Sequence, residues 1–427
     1  MPSITARRVL IMLALVCAGV LEILVLRWEL HTNPRHGIDL DVYRLGGQAW
    51  LTGQPVYGRL PSTPLGDSLP FTYPPFAAIV FATFAGVGRT VAVGAISLLS
   101  LAALGTTTWL VLRRCPRLPF DLPPLLASAL LMPGLTLLEP VKATLWYGQV
   151  NLLLMVLIAA DCLVVKPRWP RGLLIGIAAA IKLTPAVLII YFLARREWKP
   201  ALTVLASFAG AGLLGLALAP RDSIAFWLHA MLDPNRVGIA VNAENQSLRG
   251  ALHRLQLPGG VESGLWLGLA VLVVALTWLA VARTRARGDD LAAMVATATC
   301  GLLVSPVSWS HHWVWCVPGV LMLGYAAWRW RSMITAVVAV LAGAVFVIAP
   351  HWLFPNGDNI ELRWSLWQNA IADGYVWLGL ALLVTLALRR DALAAGAEDD
   401  ADARSVDDAG HVRTPRPTGR RGTVPVK

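Results

Sequence analysis

Asp39 and Asp41 stand two residues apart in the segment Gly37-Ile38-Asp39-Leu40-Asp41-Val42-Tyr43-Arg44, and Tyr73-Pro74-Pro75 closes the same polar stretch. A carboxylate held beside a bound hydroxyl can take its proton as that weak nucleophile attacks. If the segment is extended, positions two apart face the same way, so both carboxylates would line one site. The competing structural reading is helix capping, since aspartate ahead of Val42-Tyr43-Arg44-Leu45 suits the start of a helix running to about Leu51. Candidate cations for a phosphate are Arg44, Lys142, Arg249 and Arg363, because a guanidinium fork matches phosphate oxygens. Taken one at a time, each is better explained as a lipid-headgroup or interface cation. Candidate sugar contacts are Tyr43, Tyr73, Gln149, Asn151 and the run Asn245-Gln246-Ser247. The amides at 149 and 151 could instead stitch helix ends together, and the 245–247 run could cap a helix at Leu248.

His311 and His312 invite a metal reading. Adjacent helical residues point about 100° apart and do not easily share one ion, and no HExxH or DxD sequence accompanies them. No metal or other cofactor is expected. One histidine bonding a phosphate or a sugar is the alternative to a plain interface histidine. Cys17, Cys115, Cys162, Cys300 and Cys316 form no CxxC pair and all but Cys115 fall in apolar runs, so they read as packing residues rather than a zinc or disulfide framework.

These groups must be positioned by membrane helices. Of the 427 residues, 56% are hydrophobic and 14% charged, against about a quarter charged in soluble proteins. Apolar runs recur from residue 9 to residue 388 without the alternation of a β-barrel. The net charge of +11 lies in short basic clusters between those runs. That is the pattern of positive-inside bias rather than of nucleic-acid binding. The apolar run Val9 to Leu26 lacks a cleavage site and reads as a retained span, with Glu22 turned toward other helices. With all basic clusters on the cytoplasmic side, spans fit residues 91–112, 120–138, 150–165, 201–219, 263–282, 290–305, 313–327, 333–349 and 374–388. Phe76 to Val87 fits a short half-buried helix. Lys182-Leu183-Thr184-Pro185 favours a broken helical hairpin over 172–193, since proline interrupts the ladder and a mid-depth lysine needs a polar cavity; one ordinary span with a basic cluster outside is the alternative. The expectation is an all-α polytopic protein with about 10–12 membrane segments. Both termini are cytoplasmic, a disordered tail covers 389–427, and the polar loops gather outside.

Six motifs then occur in order: Asp39-Leu40-Asp41-Val42-Tyr43, Gly53-Gln54-Pro55-Val56-Tyr57, Tyr73-Pro74-Pro75, Gly148-Gln149-Val150-Asn151, Lys182-Leu183-Thr184-Pro185 and Asn245-Gln246-Ser247-Leu248. Together, over about residues 9–388, the chain resembles the actinobacterial polyprenyl-phosphate-mannose-dependent α-1,2-mannosyltransferases, membrane enzymes of the C-type glycosyltransferase superfamily. The resemblance implies the C-type fold, with short half-helices and extracytoplasmic loops, and a polyprenyl-phosphate-mannose donor. It implies a mannosylated phosphatidylinositol or a lipomannan or lipoarabinomannan acceptor, and inversion at the anomeric carbon. It places the family's acidic position at Asp39, with Asp41 second. A phosphate leaves readily and needs charge stabilisation more than a proton, so one carboxylate suffices where a glycosidase uses two. Two other readings compete. A transporter or flippase of a lipid-linked sugar would also hold Lys182 and Glu22 at depth, yet the chain shows no repeated halves. A non-catalytic scaffold accounts for the spans but not the external motifs.

Overall fold

The computed structural model describes residues 4–32, 36–233, 236 and 238–388; the tail expected to be disordered, 389–427, lies outside them. The regular elements are helices, and the one β-type pairing among the described residues is an isolated bridge between Asn245 and Trp309. The chain opens with α1 (Ile4–Thr32), α2 (Ile38–Leu51), α3 (Pro75–Ala85) and α4 (Arg89–Leu112). Next come α5 (Pro124–Thr136), α6 (Glu139–Tyr147), α7 (Asn151–Leu163), α8 (Leu173–Ile181) and α9 (Ile189–Ala194). The second half holds α10 (Trp198–Leu218), α11 (Pro220–Leu228), α12 (Leu248–Arg254), α13 (Gly259–Arg287) and α14 (Asp290–Val304). It ends with α15 (Cys316–Trp330), α16 (Met333–Ile348), α17 (Leu366–Ala372) and α18 (Gly374–Leu388).

Among the described residues four helices are long and apolar enough to cross a membrane, and six if two bent pairs each count as one span. The pairs are α5 with α6, bent by 80°, and α17 with α18, bent by 64°. α3, α7, α14 and the segment Thr184–Ala194 are shorter apolar helices. The expected half-buried helix is α3, and it precedes α4 as the apolar pattern requires. The expected span over 120–138 stops early. The chain turns at Leu138, and Glu139 and Lys142, expected in an external loop, lie on α6. Glu139 is buried there, its carboxylate accepting from Ser310 Oγ (2.7 Å) and Tyr375 Oη (2.9 Å). Glu22 does face a neighbour, accepting from Thr136 Oγ1 at 2.9 Å.

The break over 172–193 is real. α8 ends at Ile181, Lys182 is extended, and Pro185 sits in a 3-10 turn before α9. A buried carboxylate holds the start of α8: Asp161 Oδ2 accepts from the amides of Gly172 and Ile175, each at 3.0 Å.

Two of the basic loops meet at Asp290, at one end of the bundle. Asp290, opening α14, binds Arg195 at 2.7 Å and also Arg114, and Arg195 binds Glu197 at 3.0 Å. This cluster follows the end of α4, whose other end, Arg89, pairs with Asp41 at 2.9 Å. At 1.5 Å per residue the 24 residues of α4 span about 36 Å, enough to cross a hydrocarbon core of roughly 30 Å. α7, with 13 residues, runs only about 20 Å from the basic end to Asn151. The residues at the far ends of α7 and α8 are therefore recessed relative to the far end of α4.

Candidate active site

Above those recessed ends lies a cleft of about 590 Å³, inside the roughly 300–1,000 Å³ typical of ligand sites. Its wall includes Asp39, Tyr73, Gln149, Lys182, Glu244 and His312. These come from the first turn of α2, the 69–74 loop, the α6–α7 turn, the break after α8, and the 236–244 and 305–312 segments.

Gln149 organises one side. Its Nε2 donates to Asp39 Oδ2 at 2.7 Å, and its Oε1 accepts from the hydroxyls of Tyr43 (2.7 Å) and Tyr73 (3.1 Å). The two hydroxyls are themselves 2.7 Å apart, and the Tyr43 ring stacks on Phe81. Gln149 reaches this place because α6 ends in the left-handed Gly148, at φ 69°. A Cβ on Gly148 would meet Leu40 Cβ at 2.8 Å, so both conformation and space require glycine. Burial pushes the Asp39 carboxyl up to about 6, while the Gln149 bond and the Lys182 charge hold it down. It is mostly ionised at pH 7, as a general base must be.

Lys182 faces the same cleft. Its Nζ donates to Asn151 Oδ1 (2.9 Å), stands 3.0 Å from His312 Nε2, and lies 5.5 Å from the centre of the Tyr73 ring. The Nδ2 of Asn151 donates to the His311 carbonyl at 2.9 Å, tying α7 to the histidine turn. The His311 ring lies edge-on to His312 and Tyr147, with Nδ1 4.0 Å from Glu244 Oε2. Burial, then the Lys182 charge, holds both imidazoles well below the usual histidine range, so they are neutral at pH 7. Among the described residues no group of three or more His, Cys, Asp or Glu is placed to hold a metal ion.

Several expected site residues are employed elsewhere. The Asp39–Arg44 segment is helical, not extended, so positions two apart diverge by about 200° around the axis. Asp41 is turned out of the cleft and 1% exposed, its oxygens taking the Nε of Arg89 at 3.0 and 3.1 Å. Neither aspartate caps α2, whose N-cap is the left-handed Gly37. Arg44 donates to the carbonyls of Phe84 (3.0 Å) and Val87 (2.7 Å), closing the end of α3 rather than meeting a phosphate. Lys142 lies over the Trp146 ring on α6, off the cleft wall. Arg249 faces Glu262 at 3.8 Å and the Trp266 ring, and Arg363 is exposed on the turn Ile360–Arg363.

The Asn245-Gln246-Ser247 run is wholly buried and pins the 305–309 segment. Asn245 Oδ1 accepts from the Ser308 amide, the Gln246 amide donates to the Ser308 carbonyl, and Ser247 caps α12. Those side chains hold the wall without forming it. The cleft-facing members of that loop are Asn242 and Glu244. Arg89, Arg236 and Trp309 also carry roles that no motif announced.

Residues 71–306 match the model of glycosyltransferase family 87. A polyprenol-phosphate-mannose-dependent alpha-(1-2)-phosphatidylinositol mannoside mannosyltransferase of Mycobacterium tuberculosis is 41% identical, over 90% of this chain and 91% of its own length. The protein of the same description from Mycolicibacterium smegmatis is 40% identical over 88% of each chain. A polyprenol-phosphate-mannose-dependent alpha-(1-2)-phosphatidylinositol pentamannoside mannosyltransferase of Mycobacterium tuberculosis is 31% identical over 84% of this chain and 81% of its own. No solved structure matches. With helices throughout, a recessed polar cleft and these relatives, the chain belongs to glycosyltransferase family 87.

Proposed function

We propose that this protein transfers mannose from polyprenyl-phosphate-mannose to a phosphatidylinositol mannoside in α-(1→2) linkage, with inversion, at a cleft on the extracytoplasmic face. The observation that carries the reading is the pairing, in one cleft, of the Asp39 carboxylate on Gln149 with the Lys182 amino group on Asn151. The acceptor's 2-hydroxyl oxygen attacks the anomeric carbon as its proton passes to Asp39. The bond from that carbon to the phosphate oxygen breaks, and the electron pair leaves with the polyprenyl phosphate. Lys182, with the neutral His312 beside it, faces the developing charge. Gln149 aims the carboxylate, and the two tyrosines fix Gln149.

Phosphatidylinositol mannoside is preferred over pentamannoside because relatives with the former description are the more similar, 41% against 31%. Lipomannan or lipoarabinomannan is the alternative acceptor class for the same donor and base. The extracytoplasmic placement rests on the basic clusters gathering at the other end of the bundle. The test is purified protein with polyprenyl-phosphate-mannose and phosphatidylinositol mannosides, with linkage analysis of the product. A new α-(1→2)-mannose is expected. Movement of labelled donor across vesicles without any glycosidic product would replace this reading with the flippase.

A further inference from the structure

At the basic end of the bundle, the loop that follows α4 and the C-terminal end of α15 line a second, open cavity of about 520 Å³. It is lined by Pro116, Arg117, Tyr325, Trp328, Arg329 and Arg331. Three of the six are arginines and none is acidic. No side-chain hydrogen bond or ion pair among the described residues engages Arg117, Arg329 or Arg331. Their neighbours differ: Arg114 and Arg195, nearby in sequence or space, are each taken by Asp290. Positive-inside bias accounts for arginines near this end. It does not require arginines from two distant segments to converge on one cavity. Tyr325 and Trp328 stack obliquely at 5.9 Å along the cavity, and Trp328 and Trp330 are 42% and 54% exposed. Exposed tryptophans at helix ends mark the headgroup layer.

We propose that this cavity binds the phosphodiester headgroup of an anionic phospholipid from the leaflet opposite the Asp39 cleft. The three guanidiniums supply the charge and the forks for phosphate oxygens. The aromatic wall supplies the interface contact, and the cavity is large enough for a headgroup beyond its phosphate. Basic pockets at the ends of membrane helices are suited to such lipids. The site is structural or regulatory rather than catalytic, since α4 separates it by about 36 Å from the Arg89 end beside the active cleft.

The test is native mass spectrometry of the full chain in nonionic detergent, titrated with phosphatidylglycerol or phosphatidylcholine, with inorganic phosphate as competitor. Phosphatidylglycerol should occupy one high-affinity site that phosphatidylcholine does not. Combining Arg117→Ala, Arg329→Ala and Arg331→Ala should weaken that site on the order of a hundredfold. The corresponding Arg→Lys triple should keep most of it. Equal binding of both lipids, or equal binding by the alanine triple and wild type, overturns the proposal. Displacement by millimolar inorganic phosphate also overturns it, in favour of a soluble anion. A photo-crosslinking phosphatidylglycerol on wild-type protein gives a readout free of any folding defect. Adducts should map to peptides containing residues 116–117 or 325–331, and adducts confined elsewhere reject the site.

Discussion

Two carboxylates in one short segment have opposite fates because their partners differ. Asp39 keeps one amide bond and faces a cleft; Asp41 is clamped by Arg89 and closed off. Removing Arg89 leaves the buried Asp41 charge only the more distant Arg44 guanidinium, at 3.8 Å, so Arg89→Ala should lower stability by about 1–3 kcal/mol, read as a fall in the thermal midpoint. Asp39 must be ionised to accept a proton, so kcat/KM should fall as pH drops through about 6. The Gln149 bond holds that carboxyl down. Gln149→Leu should therefore move the acid limb to higher pH as well as reducing the rate. A limb that stays in place in this variant would dissociate Gln149 from the base. The place of Asp39 in a polar cleft was legible from residue type and motif. The employment of Asp41, Arg44 and Arg249 was not, because each depends on a partner brought in by folding: Arg89, the end of α3, and Glu262.

Helix ends place Asp39, Gln149 and Lys182 in the cleft. α2 begins at a left-handed glycine, α6 ends at one, and α8 stops at Lys182 because Pro185 cannot continue it. Gly148→Ala combines a strained φ with a 2.8 Å approach to Leu40. It should cost about 1–3 kcal/mol and displace Gln149, seen as a loss of kcat larger than the loss of folded protein. The broken helix and the short α3 could be read from proline and apolar length, whereas the helix ending at Leu51 was one of two readings and is not capped by either aspartate. The bend between α5 and α6 was not anticipated. Its apolar run continues through Leu137 and Leu138, where Pro140 at the start of α6 was the sequence signal, and the burial of Glu139 among Ser310 and Tyr375 holds the turn. Likewise the 245–247 run looked like a sugar site because its polar atoms have no partners in the sequence. In the fold the Asn245 and Ser247 side chains bond Pro306 and Ser308, and the Gln246 amide bonds the Ala243 carbonyl.

Across the whole molecule, charge sorts the two ends. Arg114 and Arg195, from two of the basic clusters, meet at Asp290, while the polar cleft sits at the other end of the helices that reach it. In a variant lacking its own cysteines, a cysteine at Leu69 beside the cleft and one at Arg117 should react with a membrane-impermeant thiol reagent from opposite sides. Reaction of both from one side would reject the arrangement. The apolar runs made the membrane class and the clustering of polar loops readable at this level. The depth of the cleft was not, since it arises from α7 being shorter than α4. The most direct measurement is mannose transfer from polyprenyl-phosphate-mannose by folded Asp39→Asn and Asp41→Asn proteins side by side at pH 7.5. Asp39→Asn should lose about 10²–10⁴-fold in kcat, while Asp41→Asn should lose far less and chiefly through stability. Near wild-type transfer by Asp39→Asn, or a larger catalytic loss in Asp41→Asn, would contradict Asp39 as the base.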